Sequence, residues 1–161
     1  MEKLGYDPLP YYEEPPESPV RTPELLDEYP LILISGSKFM PMFHSEHRQF
    51  GIGHREKHPY PLAYIHPETA NPLGIKDGDW MYIETKRGRI KQMARVTDTI
   101  LPNVIDCEHG WWFPERKAEL PELFGAFESN ANILTLDDPD FCDPMTGGWC
   151  NRGLLCKVYK A

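Results

Sequence analysis

The pattern of apolar and polar residues along the chain predicts short β-strands separated by tight turns. Leu31-Ile32-Leu33-Ile34 is a continuous apolar run of strand length, which is typical of a strand covered on both faces. Residues 62–65 form a second short apolar run. Residues 80–85 and 90–96 flank a Gly-containing turn at 86–89, and the second of them alternates polar and apolar residues. This part of the sequence predicts a β-hairpin.

The second half of the chain adds further strands of the same kind. Residues 104–107 follow a Pro-Asn turn, residues 133–135 follow two asparagines, and residues 154–159 close the chain. The total is six or seven short strands. Because closing a small sheet on itself removes its exposed edges, we predict a mainly β protein with short helices, built as a small closed β-barrel.

Helices are predicted to be few and short. Residues 66–74 have Pro67 at the first helical position and Gly74 after the end, which predicts one or two helical turns. The charged segment 116–124 is predicted to be a short surface helix, and the Asp-, Pro- and Gly-rich segment 137–148 a loop. The chain holds 17 prolines and 12 glycines in 161 residues, which agrees with many turns and little helix.

Charge and hydropathy limit the classes of function. A net charge of -8 argues against a nucleic-acid partner, because binding to phosphates needs clustered Lys and Arg. No apolar run approaches the roughly 20 residues that a membrane span requires, and the acidic beginning of the chain does not resemble a signal peptide. We therefore expect no direct membrane contact and take a soluble, cytoplasmic protein as the default, while export of a parent enzyme stays open.

Residues 1–29 differ in composition from the rest of the chain. Six prolines are interleaved with acidic residues and with Tyr6, Tyr11 and Tyr12, which favours extended backbone without strand pairing. A disordered acidic tail is one reading. Because a purely solvated tail needs few aromatics, we interpret 1–29 as a linker or strap that lies across a surface, and residues 30–161 as one β-barrel domain.

Candidate ligand-binding groups occur where the predicted strands end. Ser35, Gly36 and Ser37 follow a buried strand, where small residues expose backbone N–H groups that can hold a phosphate. An ordinary strand-to-loop junction has the same composition. Residues 43–49 then form a loop dense in hydrogen-bonding groups, among them His44, Ser45 and Gln49.

Residues 107–115 combine His109, Gly110, Trp111 and Trp112 at a corner after a predicted strand. Aromatic faces beside a glycine that allows close backbone approach suit a large flat heteroaromatic ligand. The alternative is a hydrophobic corner in which His109 caps the strand end. A structural and a ligand-binding interpretation are likewise both open for Asn130, Asn132 and Thr135. An Asn side chain either stabilises a turn or presents a donor and an acceptor to a ligand.

These motifs, in this order, resemble the C-terminal molybdopterin guanine dinucleotide-binding domain of the dimethyl sulfoxide reductase family of molybdenum and tungsten oxidoreductases. The double Trp and the Cys142-Asp143-Pro144 segment are most similar to the acetylene hydratase and polysulfide reductase-like branches. The resemblance covers roughly residues 28–161. It rests on residues 31–36, 43–49, 66–79, 84–88, 109–115 and 130–135.

The resemblance implies a double-psi β-barrel, the fold of aspartate decarboxylase, that caps a dinucleotide cofactor. It implies that Ser35, Gly36, Ser37, His44, Ser45 and Gln49 border the phosphate and guanosine portion. It places His109, Gly110, Trp111 and Trp112 at the pterin or its phosphate, and Asn132 and Thr135, beside Asn130, at the polar edge of the pterin.

The resemblance also implies what this chain lacks. In the family, the iron–sulfur cluster motif and the residue that ligates molybdenum or tungsten lie far upstream of this domain, so no metal is expected on this chain. We expect no turnover by the chain alone. Its expected partners are the remaining domains, or a catalytic subunit, of a molybdopterin oxidoreductase.

Two other functions remain open at this stage. Cys142, Cys150 and Cys156 with His109 would make a zinc-stabilised interaction module, although none of the four cysteines forms a Cys-x-x-Cys pair. Gly36-Ser37 resembles the self-cleaving Gly–Ser of pyruvoyl-dependent aspartate decarboxylase, which would make the chain a self-processing enzyme.

Overall fold

Six strands form one closed barrel in the computed structural model, which describes residues 11–37, 54–143 and 145–161 together with residues 3, 5, 7 and 9. In chain order the strands are β1 (Leu31–Ser37), β2 (Leu62–Ile65), β3 (Trp80–Thr85), β4 (Gly88–Val96), β5 (Val104–Glu108) and β6 (Arg152–Lys160).

The strands are hydrogen-bonded in the order β1-β5-β2-β4-β3-β6, with β6 returning to β1. Two pairs, β1 with β5 and β2 with β4, are parallel, and the other four are antiparallel. The parallel pairs connect strands that are distant in the chain, as crossover topology requires. The prediction of a mainly β protein with short helices and a double-psi β-barrel is confirmed.

The barrel interior is filled by the alternate residues of each strand. In β4, Ile90, Gln92 and Ala94 point inward and are at most 1% exposed, while the residues between them lie nearer to solvent. β3 alternates in the same way. Gln92 is the one polar side chain among these inward positions of β4.

Among the described residues, three short α-helices lie outside the barrel: α1 (His54–Lys57), α2 (Pro67–Ala70) and α3 (Ala126–Ser129). The helical turn predicted after His66 is confirmed, since Pro67 begins α2 and the His66 side chain accepts a hydrogen bond from the Glu68 N–H at 3.1 Å. Among the described residues, no helix is long and apolar enough to span a membrane.

The helix predicted over 116–124 is wrong. This segment consists mainly of turns and reaches only a 3₁₀ turn at Leu123–Gly125. Pro121 disfavours helical backbone at the residue before it, and Leu123 and Phe124 adopt positive φ angles of 38° and 54°, which an α-helix cannot contain.

The strand predicted over 133–135 is also wrong, because this segment begins with a 3₁₀ helix at Ala131–Ile133. The Asn130 side chain accepts a hydrogen bond from the Asn132 N–H at 3.0 Å. This local contact stabilises the start of a helical turn instead of an extended strand.

Residues 15–18 of the proposed strap pack against the barrel. Glu17 is 2% exposed and lies 2.5 Å from Arg87 and 3.4 Å from Lys86, both in the β3–β4 turn. A Cβ atom on Gly153 of β6 would stand 3.1 Å from the Pro15 ring. The segment is not extended throughout, since Pro23–Asp27 form a 3₁₀ helix.

Two cysteine thiols lie in the barrel core, and we predict that they make the protein sensitive to alkali. Burial raises the pKa of both Cys107 and Cys156, whose side chains are 0% exposed. An unfolded thiol ionises near pH 8.5, whereas the folded one keeps its proton, so the unfolded state gains relative stability above that pH. We expect roughly 1–2 kcal/mol less unfolding free energy per thiol at pH 10 than at pH 8.5.

Urea unfolding under reducing conditions from pH 7 to pH 10 measures this loss. Burial also raises the pKa of Tyr29 and Tyr64. Because an unfolded tyrosine ionises near pH 10, these two residues lower the free energy of unfolding only from about that pH upward. The control is the variant Cys107→Ala/Cys156→Ala. Its free energy of unfolding should be lower at pH 7 but nearly constant between pH 8 and pH 9.5. An equal slope in the variant would contradict the assignment to the thiols.

Candidate functional site

One end of the barrel collects most of the predicted ligand-binding segments. β1 and β5 are parallel and in register, with Ser35 beside Cys107 and Ser37 beside Glu108. The chain leaves both strands at the same end, so Ser35–Ser37 and the segment after Glu108 are neighbours. The β3–β4 turn and Arg152, which begins β6, lie at this end as well, because β4 and β6 run away from it.

The Ser-Gly-Ser segment forms an irregular end of β1. The strand register shifts between Ser35 and Ser37, and Gly36 has a φ angle of 117°, which a residue with a side chain rarely adopts. The Ser35 hydroxyl donates to the Asn151 carbonyl at 2.9 Å, so it is used inside the protein. Ser35 is therefore held in place by β6 rather than presented to solvent through its hydroxyl.

Arg152 is a cationic group beside this segment that the sequence analysis did not identify. Its Nε donates to the Ser35 carbonyl at 3.3 Å, and its Nη2 atom would stand 3.3 Å from a Cβ on Gly36. The residue is exposed. A guanidinium next to small residues and bulged backbone is a suitable environment for an anion. His44, Ser45 and Gln49, together with the side chain of Ser37, lie outside the described residues.

The two tryptophans after β5 have different environments. Trp111 is fully buried, with the His58 ring in an edge contact at 5.5 Å and the Arg55 guanidinium 5.1 Å from its ring centre. Trp112 is half-buried and packs against Phe124 with ring centres 5.3 Å apart. His109 and Gly110 are also half-buried, and Gly110 has a φ angle of 62°. Trp111 therefore supports the loop, while the other three residues reach its surface.

The Asn130–Thr135 segment lies over the start of β4. Asn130 is half-buried and caps the 3₁₀ helix Ala131–Ile133, so it makes the turn that was one of its two predicted roles. The Thr135 hydroxyl donates to the Asn132 carbonyl at 3.3 Å. The Asn132 side chain is exposed. Of these three side chains, Asn132 is the most accessible to a ligand.

A buried, hydrogen-bonded histidine–glutamate pair lies directly beneath the tryptophan loop. The Nε2 atom of His58 lies 2.8 Å from both carboxylate oxygens of Glu108, and the two side chains are 6% and 4% exposed. Glu108 Oε2 also accepts the Leu62 N–H at 2.8 Å. The pair joins α1, β2 and β5, and its histidine touches Trp111. It was missed in the sequence because its members are 50 residues apart.

A large cavity lies between the strap and the loop that precedes β6. It has a volume of about 1090 Å³ and opens between residues 13–16 and the loop 139–150. Among the described residues, its lining includes none of the predicted ligand-binding ones. Its walls carry four carboxylates and one arginine, namely Glu13, Glu14, Asp140, Asp143 and Arg21.

The zinc-module alternative gains no support from the described residues. Cys156 is 0% exposed inside the barrel, whereas Cys142 and Cys150 line the outer cavity. In the part of the chain that the structure describes, no three or more His, Cys, Asp or Glu side chains are grouped so that they could hold a metal ion.

Known proteins are similar to this chain in sequence and in fold. The family model described as Molydopterin dinucleotide binding domain matches residues 31–150. Acetylene hydratase of Syntrophotalea acetylenica is 40% identical over 162 residues, which cover 99% of this chain and 22% of that protein. Dopamine dehydroxylase of Eggerthella lenta is 38% identical, over 95% of this chain and 14% of that protein.

A solved structure agrees with these similarities. Acetylene hydratase from Pelobacter acetylenicus matches with a TM-score of 0.89 and 41% identity, over 99% of this chain and 22% of that one. The chain thus spans about a fifth or less of the relatives that it matches. The match to the family model and the shared barrel lead to one conclusion: this chain belongs to the molybdopterin dinucleotide-binding domain family of the dimethyl sulfoxide reductase-type oxidoreductases.

Proposed function

We propose that this chain caps a bis-molybdopterin guanine dinucleotide cofactor in a molybdenum or tungsten oxidoreductase. The observation that carries the proposal is the convergence of Ser35–Ser37, 109–112 and 130–135 at one end of the barrel. These segments are far apart in the chain. Their meeting brings groups of different chemical kinds to one end of the barrel, as a ligand with chemically different parts requires.

The donor set fits such a ligand. Arg152 and the bulged backbone at Gly36 supply positive charge and close approach for a phosphate. The exposed amide of Asn132 offers both a donor and an acceptor, which the edge of a pterin or a guanine requires. His109 and Trp112 add a ring donor or acceptor and an aromatic face at the loop surface.

The chemistry at the metal belongs to other parts of the enzyme in this proposal. The chain spans 14–22% of the relatives, which leaves most of each relative for metal ligation and substrate binding. By their names, those two relatives act on acetylene and on dopamine. Because one domain type serves such different substrates, we infer that it holds the cofactor and that this chain alone does not turn over substrate.

The self-processing alternative at Gly36-Ser37 makes a separate prediction. It requires cleavage of the chain inside β1, next to the bulge. Mass spectrometry of the purified chain would detect two fragments in that case. A single intact mass is what we expect.

Binding of a nucleotide probe tests the proposal on the chain itself. Guanosine diphosphate carries the guanine, ribose and two phosphates of the dinucleotide, and adenosine diphosphate is the matched control. We expect guanosine diphosphate to bind at least about tenfold more tightly, because a site that hydrogen-bonds one base edge leaves its groups unpaired with the other.

Asn132→Ala and Arg152→Ala separate the parts of this site. Because both residues are exposed, we expect both variants to fold stably. Arg152→Ala should weaken the binding of both nucleotides by a similar factor, since it removes a contact to phosphate. Asn132→Ala should leave nucleotide binding unchanged, because the proposal assigns this amide to the pterin. Equal binding of the two nucleotides, or none of either, would contradict the proposal.

A further inference from the structure

The side chain of Gln92 is fully buried, although it is a polar amide on the interior face of β4. Its neighbours on that face are Ile90 and Ala94, and all three are at most 1% exposed. Burying an amide is costly unless its donor and acceptor atoms are hydrogen-bonded. A glutamine at such a position therefore requires specific partners.

Gln92 has three hydrogen bonds to main-chain atoms of two other segments. Its Nε2 donates to the Glu108 carbonyl at 2.9 Å and to the Ser129 carbonyl at 3.0 Å. Its Oε1 accepts the Glu108 N–H at 3.1 Å. The Ser129 hydroxyl donates in return to the carbonyl of Lys91 at 3.0 Å. Both amide hydrogens and the amide oxygen of Gln92 are thus used.

The two segments that Gln92 joins are the two that carry the proposed pterin contacts. Glu108 directly precedes His109–Trp112, and Ser129 directly precedes Asn130. Two other links between these regions involve residues that follow the tryptophans in the chain. The Phe113 N–H donates to the Phe124 carbonyl at 2.6 Å, and Arg116 pairs with Glu128 in a partly exposed position. Gln92 supplies the link within the buried interior.

We propose that Gln92 is a positioning residue that holds the tryptophan loop and the Asn130–Thr135 segment at a set distance, so that both reach the same cofactor. The proposal rests on the proposed function for the identity of the cofactor. Gln92 itself does not touch the ligand, because its side chain is buried and satisfied by the protein.

The physical basis is the low polarity of the interior. Hydrogen bonds there are stronger than in water, and a carbonyl that loses its donor cannot turn to solvent. If the amide is replaced by an apolar group of similar length, Glu108 and Ser129 each lose a partner at once. The two loops can then shift independently, while the barrel strands keep their own ladders.

Hydrogen exchange of the whole 161-residue chain tests this coupling without any cofactor. The variant is Gln92→Met, which keeps the length and loses the amide. The control is Ile83→Val, which removes one methyl group from the core in β3 and keeps all three hydrogen bonds of Gln92. Amides of both 108–113 and 126–134 should exchange about tenfold faster in Gln92→Met, in line with the loss of hydrogen bonds.

The control sets what general destabilisation does. In Ile83→Val we expect less than about threefold faster exchange in these two segments relative to the rest of the barrel, since that change costs little and leaves the hydrogen bonds of Gln92 in place. Faster exchange in Gln92→Met that is uniform over the barrel, or confined to one of the two segments, would overturn the coupling. If Gln92→Met does not fold, Gln92→Asn provides the same test, because its amide is one methylene too short to reach both carbonyls.

A second readout connects the bridge to the ligand. Guanosine diphosphate and a reduced pterin are titrated separately into the wild-type chain, Gln92→Met and Ile83→Val. We expect the pterin to bind Gln92→Met about tenfold more weakly and Ile83→Val as the wild type. Unchanged pterin affinity in Gln92→Met overturns the positioning role. Absence of binding to the wild type instead contradicts the proposed function, and the exchange experiment still decides whether Gln92 couples the loops.

Discussion

Glu108→Ala is expected to lower the free energy of unfolding by about 3–5 kcal/mol. The Glu108 side chain is 4% exposed, and both of its oxygens lie 2.8 Å from His58 Nε2. Its Oε2 is also the acceptor for the Leu62 N–H. The substitution removes these contacts together and leaves a cavity beneath Trp111. Urea unfolding at pH 7 measures the change.

Glu115→Ala is the matched control for this prediction. Glu115 has a close partner as well, the Arg55 guanidinium at 2.7 Å, but its side chain is 60% exposed. Solvent screens such a pair, so we expect a loss of less than about 1 kcal/mol. The double variant His58→Leu/Glu108→Leu should recover part of the loss of Glu108→Ala, because an apolar pair can replace a buried polar pair. Equal losses for Glu108→Ala and Glu115→Ala would contradict the assigned role of burial.

Gly125→Ala is expected to lower the free energy of unfolding by roughly 2–4 kcal/mol, from two additive causes. Gly125 has a φ angle of 71°, which is unfavourable for alanine. A Cβ atom there would stand 2.8 Å from Phe113 Cδ2 and 3.0 Å from Arg116 Nη1. The Phe113 ring is 5% exposed and packs on Trp111, so it has little room to move. Thermal or urea unfolding measures the loss.

Gly78→Ala separates the two causes. Gly78 has a φ angle of 84°, and a Cβ atom there would meet no heavy atom of the described chain within 4 Å. In Gly78→Ala the free energy of unfolding should therefore fall only through the unfavourable backbone angle, by about 1–2 kcal/mol. A Gly125→Ala variant no less stable than Gly78→Ala would mean that the Phe113 contact relaxes without cost, and the packing of the 113–125 region would need revision.

The barrel was predictable because its signals are local. The apolar run 31–34, the hairpin at 80–96 and the strand at 104–107 each have the strand pattern in a few consecutive residues, and all three were confirmed. The segments that were predicted wrongly, 116–124 and 133–135, depend on backbone effects that override composition. Positive φ angles break the first, and the Asn130 cap starts a helical turn in the second.

The supporting residues of the candidate site were harder to find. The burial of Gln92 was predictable, because the period-two alternation from Ile90 to Ala94 places it on the interior face of the strand. No such signal exists for His58, because its partner Glu108 becomes a neighbour only when β5 pairs with β2. Arg152 likewise reaches Ser35 only through the pairing of β6 with β1.

The most direct test of the central claim is the cofactor content of the native polypeptide that contains this sequence. It would be purified without oxygen through an antibody to residues 54–161, and its mass, pterin and acid-released nucleotides would be measured. We predict a polypeptide several times longer than this chain that carries pterin and releases guanosine monophosphate, two per polypeptide. A native polypeptide of 161 residues that is free of pterin and guanine, alone and in its complexes, would contradict the account.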